Sequence, residues 1–211
     1  VKLLNSFEHR NHLCLVFEPM AGNLRELIRK YGGVGLHIDA IRSFAKQMFI
    51  GLRHLSKCGI LHADIKPDNI LVNSMEQEGS KVVKICDLGS GSKIGKPEIT
   101  PLLVSRFYRP PEIMLGLRYN EAVDMWSVGC VLYELYTGKI MFQGVSNNQM
   151  LKLIQEIKGK MPHKLIRKGF FSELHFDPDN DFIYKEKDKV SGREIVRTIK
   201  FEQRPTVGKD L

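Results

Sequence analysis

Between Ile60 and Asn73 the chain reads ILHADIKPDNILVN, and eight consecutive residues of it, His62 to Asn69, hold a histidine, two aspartates, a lysine, a proline and an asparagine. Apolar residues close the stretch on both sides. Polar groups at that density are costly to bury unless they meet partners, so any fold of this chain must bring other polar atoms to this loop. Upstream, Ile38, Ile41, Phe44, Ala45, Met48, Phe49, Leu52 and Leu55 recur at helical spacing. They predict a helix over 38–55 of about five turns, stopped at Gly59 by a left-handed cap. Downstream, ILVN and KVVKICDL read as two short strands around a polar loop, 74–80.

The rest of the chain frames this centre. Residues 1–7 and 12–17 read as two strands joined by a polar turn. A short helix follows, LRELIRKY, with Asn23 placed to cap it. The connection GSGSKIGKPEITP is longer than a tight turn, and loops of that length in compact domains are usually functional or mobile. Residues 121–136 predict a second helix, apolar on most sides, and residues 147–157 a third. From Gly159 the chain is basic, then acidic around DPDND, then mixed, without clear periodicity.

The central loop offers Asp64, Lys66 and Asn69, and Asp87 opens a DLG turn just beyond the second strand. Taken singly, these aspartates and the asparagine are ordinary turn formers, and Lys66 is a common kind of surface lysine. Together they supply two carboxylates, a carboxamide and an ammonium on neighbouring strand-end loops. Phosphoryl transfer from a magnesium nucleotide needs such a set: one carboxylate for the attacking hydroxyl, oxygen ligands for the metal, and a cation for the moving group.

The run HADIKPDN, then DLG, then SRFYRPPE, then DMWSVGCVLYELYTGKIMFQG resembles, in order and spacing, the H-R-D-x-K-P-x-N, D-F-G and A-P-E motifs of eukaryotic protein kinases. The Tyr108–Arg109 pair and the segment after Ile157 are similar to the CMGC group. FEPMAGNLRELI and LKLIQEIKGKMPHKLIRKG resemble the pre-mRNA-splicing kinases of its DYRK branch over nearly the whole chain. The resemblance implies an α+β, protein-kinase-like fold, mainly the helical C-lobe with two residual N-lobe strands and the hinge. It implies a single partial kinase domain, with 1–20 closing the N-lobe and hinge, 21–158 forming the C-lobe, and 159–211 a CMGC-type insert. The implied activity is transfer of the ATP γ-phosphoryl group to protein serine or threonine with Mg2+. A monomeric domain acting on splicing factors in the nucleus, or otherwise in the cytoplasm, follows from the same likeness.

The resemblance also assigns roles. Asp64 would accept the proton of the substrate hydroxyl, Lys66 would contact the transferred phosphate, and Asn69 and Asp87 would hold magnesium. Phe17 would be the gatekeeper of the adenine pocket, Glu18 and Met20 would present backbone groups to the base, and Leu71 would floor it. Ser105 would bridge Asp64 and Lys66, and Arg109 would shape the pocket for the residue after the phosphoacceptor. His62 would tie the loop to the DLG turn, Asp124 would brace the loop backbone, and Glu112 would normally pair with an arginine of a later helix.

Departures from the pattern carry their own expectations. Ala63 stands where many kinases have an arginine that grips an activation-loop phosphate, and Leu102 stands where the family has a phosphorylated tyrosine. Activity is therefore expected not to be switched through that arginine. Leu88 and Pro110 replace the family's phenylalanine and alanine, with an apolar residue still expected to fill the first position. The glycine-rich loop, the strand lysine and its glutamate partner do not occur in the chain, and both ends look cut; the expectation is a kinase represented by a fragment. The alternatives are a pseudokinase scaffold and a small-molecule phosphotransferase, the latter disfavoured by the peptide-positioning segment SRFYRPPE.

Composition narrows the remaining classes. Lysine and arginine total 32 against 24 acids, a formal charge of +8. The charges are scattered, and no basic platform studded with aromatics predicts direct nucleic-acid binding. The acid-free run 157–168 reads as a solvated face before a docking patch. Four distant cysteines predict neither a disulfide frame nor a zinc site, and no segment predicts a membrane span.

Overall fold

A computed structural model describes residues 1–76, 81–95, 98–187 and 192–202. The end of the 74–80 loop, part of the connection before Thr100 and the last residues of the 159–211 segment lie outside them. An antiparallel hairpin leads, β1 (Leu3–His9) with β2 (His12–Phe17). Arg10 and Asn11 both take positive φ, 49° and 61°, as two-residue hairpin turns require. A three-stranded sheet follows, in which β5 (Ile70–Val72) lies between β3 (Gly22–Asn23) and β6 (Val83–Ile85), all antiparallel.

Helix α1 (Leu24–Lys30) starts where expected. The Asn23 side chain accepts from the Glu26 N–H at 2.9 Å while the Glu26 carboxylate accepts from the Asn23 N–H at 3.1 Å, a closed capping box. Helix α2 (Ile38–Lys57) buries Ile41, Phe44, Met48 and Leu52. Ile38 and Phe49, expected on the same face, are instead 42% and 41% exposed. The buried stripe is four residues long at spacings of three and four; Phe49 stands one position, about 100°, off it, and Ile38 is the first residue of the helix. Gly59 follows at φ 68°, the left-handed stop.

The strand β4 (Ile60–Leu61) pairs with β7 (Ser92–Lys93), so the connection after the DLG turn is not wholly irregular. Two residues on each side carry too little pattern to be seen in sequence. A 3-10 turn at Pro67–Asn69 and another at Arg106–Tyr108 flank the centre of the molecule. Next come α3 (Pro111–Leu115), α4 (Ala122–Thr137) and α5 (Asn147–Lys158). Helix α4 is the core element: Val123, Val128, Val131 and Leu135 are fully buried, and α2 packs on it.

The segment after Gly159, expected to lack periodicity, forms α6 (His163–Ile166) and a hairpin of β8 (Phe182–Lys187) with β9 (Glu194–Ile199). The hairpin is moored to α5 by one buried side chain. Asn148 donates to the Ile183 carbonyl at 2.7 Å and accepts from the Lys185 N–H at 2.9 Å. The architecture is α+β, as expected. Among the described residues no helix is long and apolar enough to cross a membrane, and all four cysteines are free.

Candidate active site

The crowded loop finds its partners. Helix α4 enters the core with an aspartate in its first turn, and the Asp124 carboxylate accepts from the backbone N–H groups of His62 at 2.8 Å and Ala63 at 2.9 Å. A buried carboxylate with two donors is satisfied, where an unpaired one would be expelled. His62, fully buried, places Nε2 2.9 Å from the Cys86 carbonyl. The Cys86 N–H in turn donates to the Asn69 carbonyl at 3.0 Å. The residue before Asp87 is thereby locked at both its backbone groups to the loop that carries Asp64.

Asp64 is the hub of the polar cluster. Its Oδ2 accepts from Lys66 Nζ at 2.7 Å and Asn69 Nδ2 at 3.0 Å, and its Oδ1 accepts the Ser105 hydroxyl at 2.6 Å. Lys66 also reaches Ser105 Oγ at 3.1 Å. Burial alone would raise the Asp64 carboxyl, but Lys66, Ser105 and Asn69 outweigh it and hold it below the ordinary carboxylate range. The group stays ionised at neutral pH, with lone pairs to spare for one more donor.

Asn69 uses both amide protons on Asp64, one on its backbone and one on its side chain. Its amide oxygen accepts no hydrogen bond among the described residues. Asp87 sits at φ 65°, exposed, with one carboxylate oxygen taking the Gly89 N–H at 3.1 Å and the other open. An open carboxylate oxygen and an open amide oxygen are the hard donors magnesium takes. Among the described residues no three acidic, histidine or cysteine side chains gather as a cage of their own. Mg2+ takes one or two protein ligands and completes its shell with nucleotide phosphates and water.

Phe17, Glu18, Met20, Leu71 and Asp87 line a cleft of about 1170 Å³. The Glu18 carboxylate accepts from Lys84 Nζ at 2.7 and 2.8 Å, which holds its pKa down, and its N–H is taken by the Lys2 carbonyl. The cleft does not stop at these residues but runs on to Ile50, His54 and Leu55 of α2. It is lined at one end by Asp87 and not by Asp64, Lys66 or Asn69, so the polar cluster and the cleft are two adjoining places joined through Cys86 and Asp87. Leu88, expected to fill an apolar position, is 51% exposed at the rim of that cleft, because the turn at Asp87 points it away from the core.

Arg109 is buried and spent on backbone. It donates to the carbonyls of Leu102, Leu103 and Val104, and Nη1 reaches Asn147 Oδ1 at 2.6 Å. Asn147, the first residue of α5, also donates to the Pro101 carbonyl at 2.9 Å. Four successive carbonyls of the segment before Ser105 are thus held by two side chains. Val104 takes φ 68°, which is unfavourable for a β-branched residue. Glu112, in the first turn of α3, has its carboxyl raised by burial and shows no ion pair among the described residues.

Sequence reasoning missed a second buried carboxylate. Glu134 on α4 is 2% exposed and pairs with Arg25 of α1 and with the Tyr108 hydroxyl, which donates to it at 2.6 Å. An acid inside the apolar run CVLYELY was the available signal. Its partner lies 109 residues away, and nothing in one sequence connects them.

The protein kinase domain family matches residues 1–191. Serine/threonine-protein kinase prp4 of Schizosaccharomyces pombe is 51% identical over 198 residues, covering 93% of this chain and 41% of that protein. Serine/threonine-protein kinase prpf4B of Dictyostelium discoideum is 48% identical over 191 residues, covering 90% and 23%. Dual specificity tyrosine-phosphorylation-regulated kinase 2 of Drosophila melanogaster is 42% identical over 177 residues, covering 84% and 24%. The chain spans less than half the length of each of these relatives.

Proposed function

The chain belongs to the protein kinase family, and from that premise we propose that the protein transfers the γ-phosphoryl group of ATP to serine or threonine of protein substrates. The observation that carries the reading is the Asp64 cluster, a carboxylate kept ionised by Lys66, Ser105 and Asn69 with capacity for one more donor. In this reading Asp64 orients the substrate hydroxyl and takes its proton. Lys66, already bridging Asp64 and Ser105, steadies the moving phosphoryl group. Bound magnesium supplies neutralisation of phosphate charge, and Asn69 and Asp87 are the residues that would hold it. Phe17, Glu18, Met20 and Leu71 take the adenine in the cleft. Arg109, by fixing the carbonyls of 102–104, shapes the seat of the residue after the phosphoacceptor. His62, Asp124 and Glu112 support the frame.

The same reading assigns 1–20 to the end of the N-lobe and the hinge, 21–158 to the C-lobe and 159–211 to a CMGC-type insert. The likeness to splicing kinases extends it to splicing-factor substrates and a nuclear location.

The test is a magnesium-dependent phosphorylation assay on the full-length protein beside Asp64→Asn. The variant is expected to lose about 10²- to 10⁴-fold in kcat with an unchanged melting temperature. Equal activity in the two would remove Asp64 from its role. An inactive wild-type protein that still folds would replace the enzyme by a scaffold.

A further inference from the structure

Arg25, within FEPMAGNLRELI, is given no role by the resemblance, yet its guanidinium meets three acceptors from three parts of the molecule. Nη1 pairs with Glu134 on α4. Nη2 reaches the Tyr108 hydroxyl at 2.6 Å and Asp68 Oδ2 at 3.2 Å. The Tyr108 hydroxyl itself donates to the other Glu134 oxygen at 2.6 Å. Glu134 and Tyr108 are 2% and 3% exposed, so the guanidinium is the counter-charge that lets a carboxylate sit there.

The positions of Asp68 and Tyr108 give the cluster its meaning. Asp68 is the middle residue of the 3-10 turn Pro67–Asn69, and Asn69 of that turn holds Asp64 Oδ2. Tyr108 ends the 3-10 turn Arg106–Tyr108, and Ser105, whose carbonyl takes the Tyr108 N–H at 2.9 Å, holds Asp64 Oδ1. The same two turns are therefore bridged twice, by Asp64 on one side and by Arg25 on the other. The bridges and turns close a ring running Asp64, Asn69, Asp68, Arg25, Tyr108, Ser105 and back to Asp64.

We propose that Arg25 is a positioning residue for phosphoryl transfer, setting the spacing between the Pro67–Asn69 turn and the Arg106–Tyr108 turn and through them the seats of Asn69 and Ser105 on Asp64. The proposal rests on the kinase reading above. Arginine suits the task because a planar fork can serve three acceptors at fixed angles, which a single ammonium cannot.

The experiment uses the full-length protein with Asp68→Asn, Arg25→Lys and the double variant. Arg25→Ala is avoided because an unpaired Glu134 endangers folding. Asp68 is half-exposed, so Asp68→Asn takes the charge from one arm of the ring, leaving a neutral amide oxygen there, without threatening the core. Asp68→Asn is expected to lower kcat by on the order of tenfold, the scale of a small misplacement, with KM for Mg-ATP and the melting temperature unchanged. Arg25→Lys is expected to lower kcat at least as far, and Asp68→Asn to add nothing on top of it, the non-additivity of one shared unit. Without substrate, amide exchange at Asn69 and Tyr108 is expected to quicken together in either variant, while exchange in α2 and α4 stays slow. Unchanged exchange at either amide, additive losses, or losses that follow the melting temperature would overturn the proposal. Its failure is separable from that of the kinase reading. Asp68→Asn with full activity beside a dead Asp64→Asn rejects Arg25 alone, whereas absent wild-type turnover rejects the enzyme and leaves the exchange result to judge the ring.

Discussion

The loop around Asp64 and the β1–β2 hairpin both contribute to the candidate site, and they are built in opposite ways. Around Asp64, buried polar atoms meet internal partners: the side chains of Asp124, His62, Asn69, Ser105 and Arg109 each hydrogen-bond to another part of the fold. In the hairpin almost every side chain faces outward, with Leu3, Leu4, Phe7, Leu13 and Leu15 between 48% and 74% exposed. What holds it to the rest is polar, chiefly the Glu18–Lys84 ion pair. The lesson is that precision is concentrated where charge must be aimed, while the hairpin offers the cleft backbone groups and an apolar surface.

Substitution should expose that contrast. The largest expected effect is at Asp124→Asn, which keeps the shape but sets an amide against one of two buried N–H donors. A loss of about 3 kcal/mol is expected from an orphaned donor plus a lost charge-assisted bond, read by urea denaturation. A loss under about 1 kcal/mol would mean the loop backbone has another support.

An effect of similar size should appear through His175, buried under the β8–β9 hairpin. Burial, aided by Lys185, lowers its pKa from 6.5 to about 4. Its Nδ1 stands 3.2 Å from the Asn148 amide nitrogen, a contact that suits the neutral ring accepting. The unfolded chain binds this proton first as pH falls. Stability is therefore full above about 6.5, declines between 6.5 and about 4, and this contribution is gone below that, up to about 3 kcal/mol in all. Melting temperature against pH should fall across that window in the wild type and flatten in His175→Gln. Equal slopes would show that His175 does not carry the effect.

The smallest effect belongs to the other region. Leu13→Thr on the 74%-exposed face of β2 should change the stability of the 211-residue chain by less than about 0.5 kcal/mol. A loss well beyond that would show that Leu13 is covered, and the contrast between the two regions would shrink accordingly.

Legibility in the sequence follows the same division. Helices α1 and α2 were readable because caps and 3.6-residue periodicity are local signals, and α4 because a long apolar run is one too. The polar loop was readable because its residues violate the apolar setting around them. The pairing of β4 with β7 spans two residues and left no period. The β8–β9 hairpin is held by Asn148 of α5 and by burial of Phe182 against Phe176, and it alternates too weakly to announce itself. Asp124 and Glu134 posed the same question, an acid inside an apolar helix. Only the first was given a role by the resemblance; the second needed coordinates to reveal Arg25.

Ala63, Asp87 and Val104 all take a left-handed backbone, with φ of 62°, 65° and 68°, and all three adjoin the Asp64 cluster. None is a glycine, the residue for which such a conformation costs least. Each strained non-glycine position costs on the order of 1–3 kcal/mol. A chain selected only for durability would drift toward glycine at these three places. With alanine, aspartate and valine there instead, the frame around one carboxylate holds backbone strain that glycine would relieve.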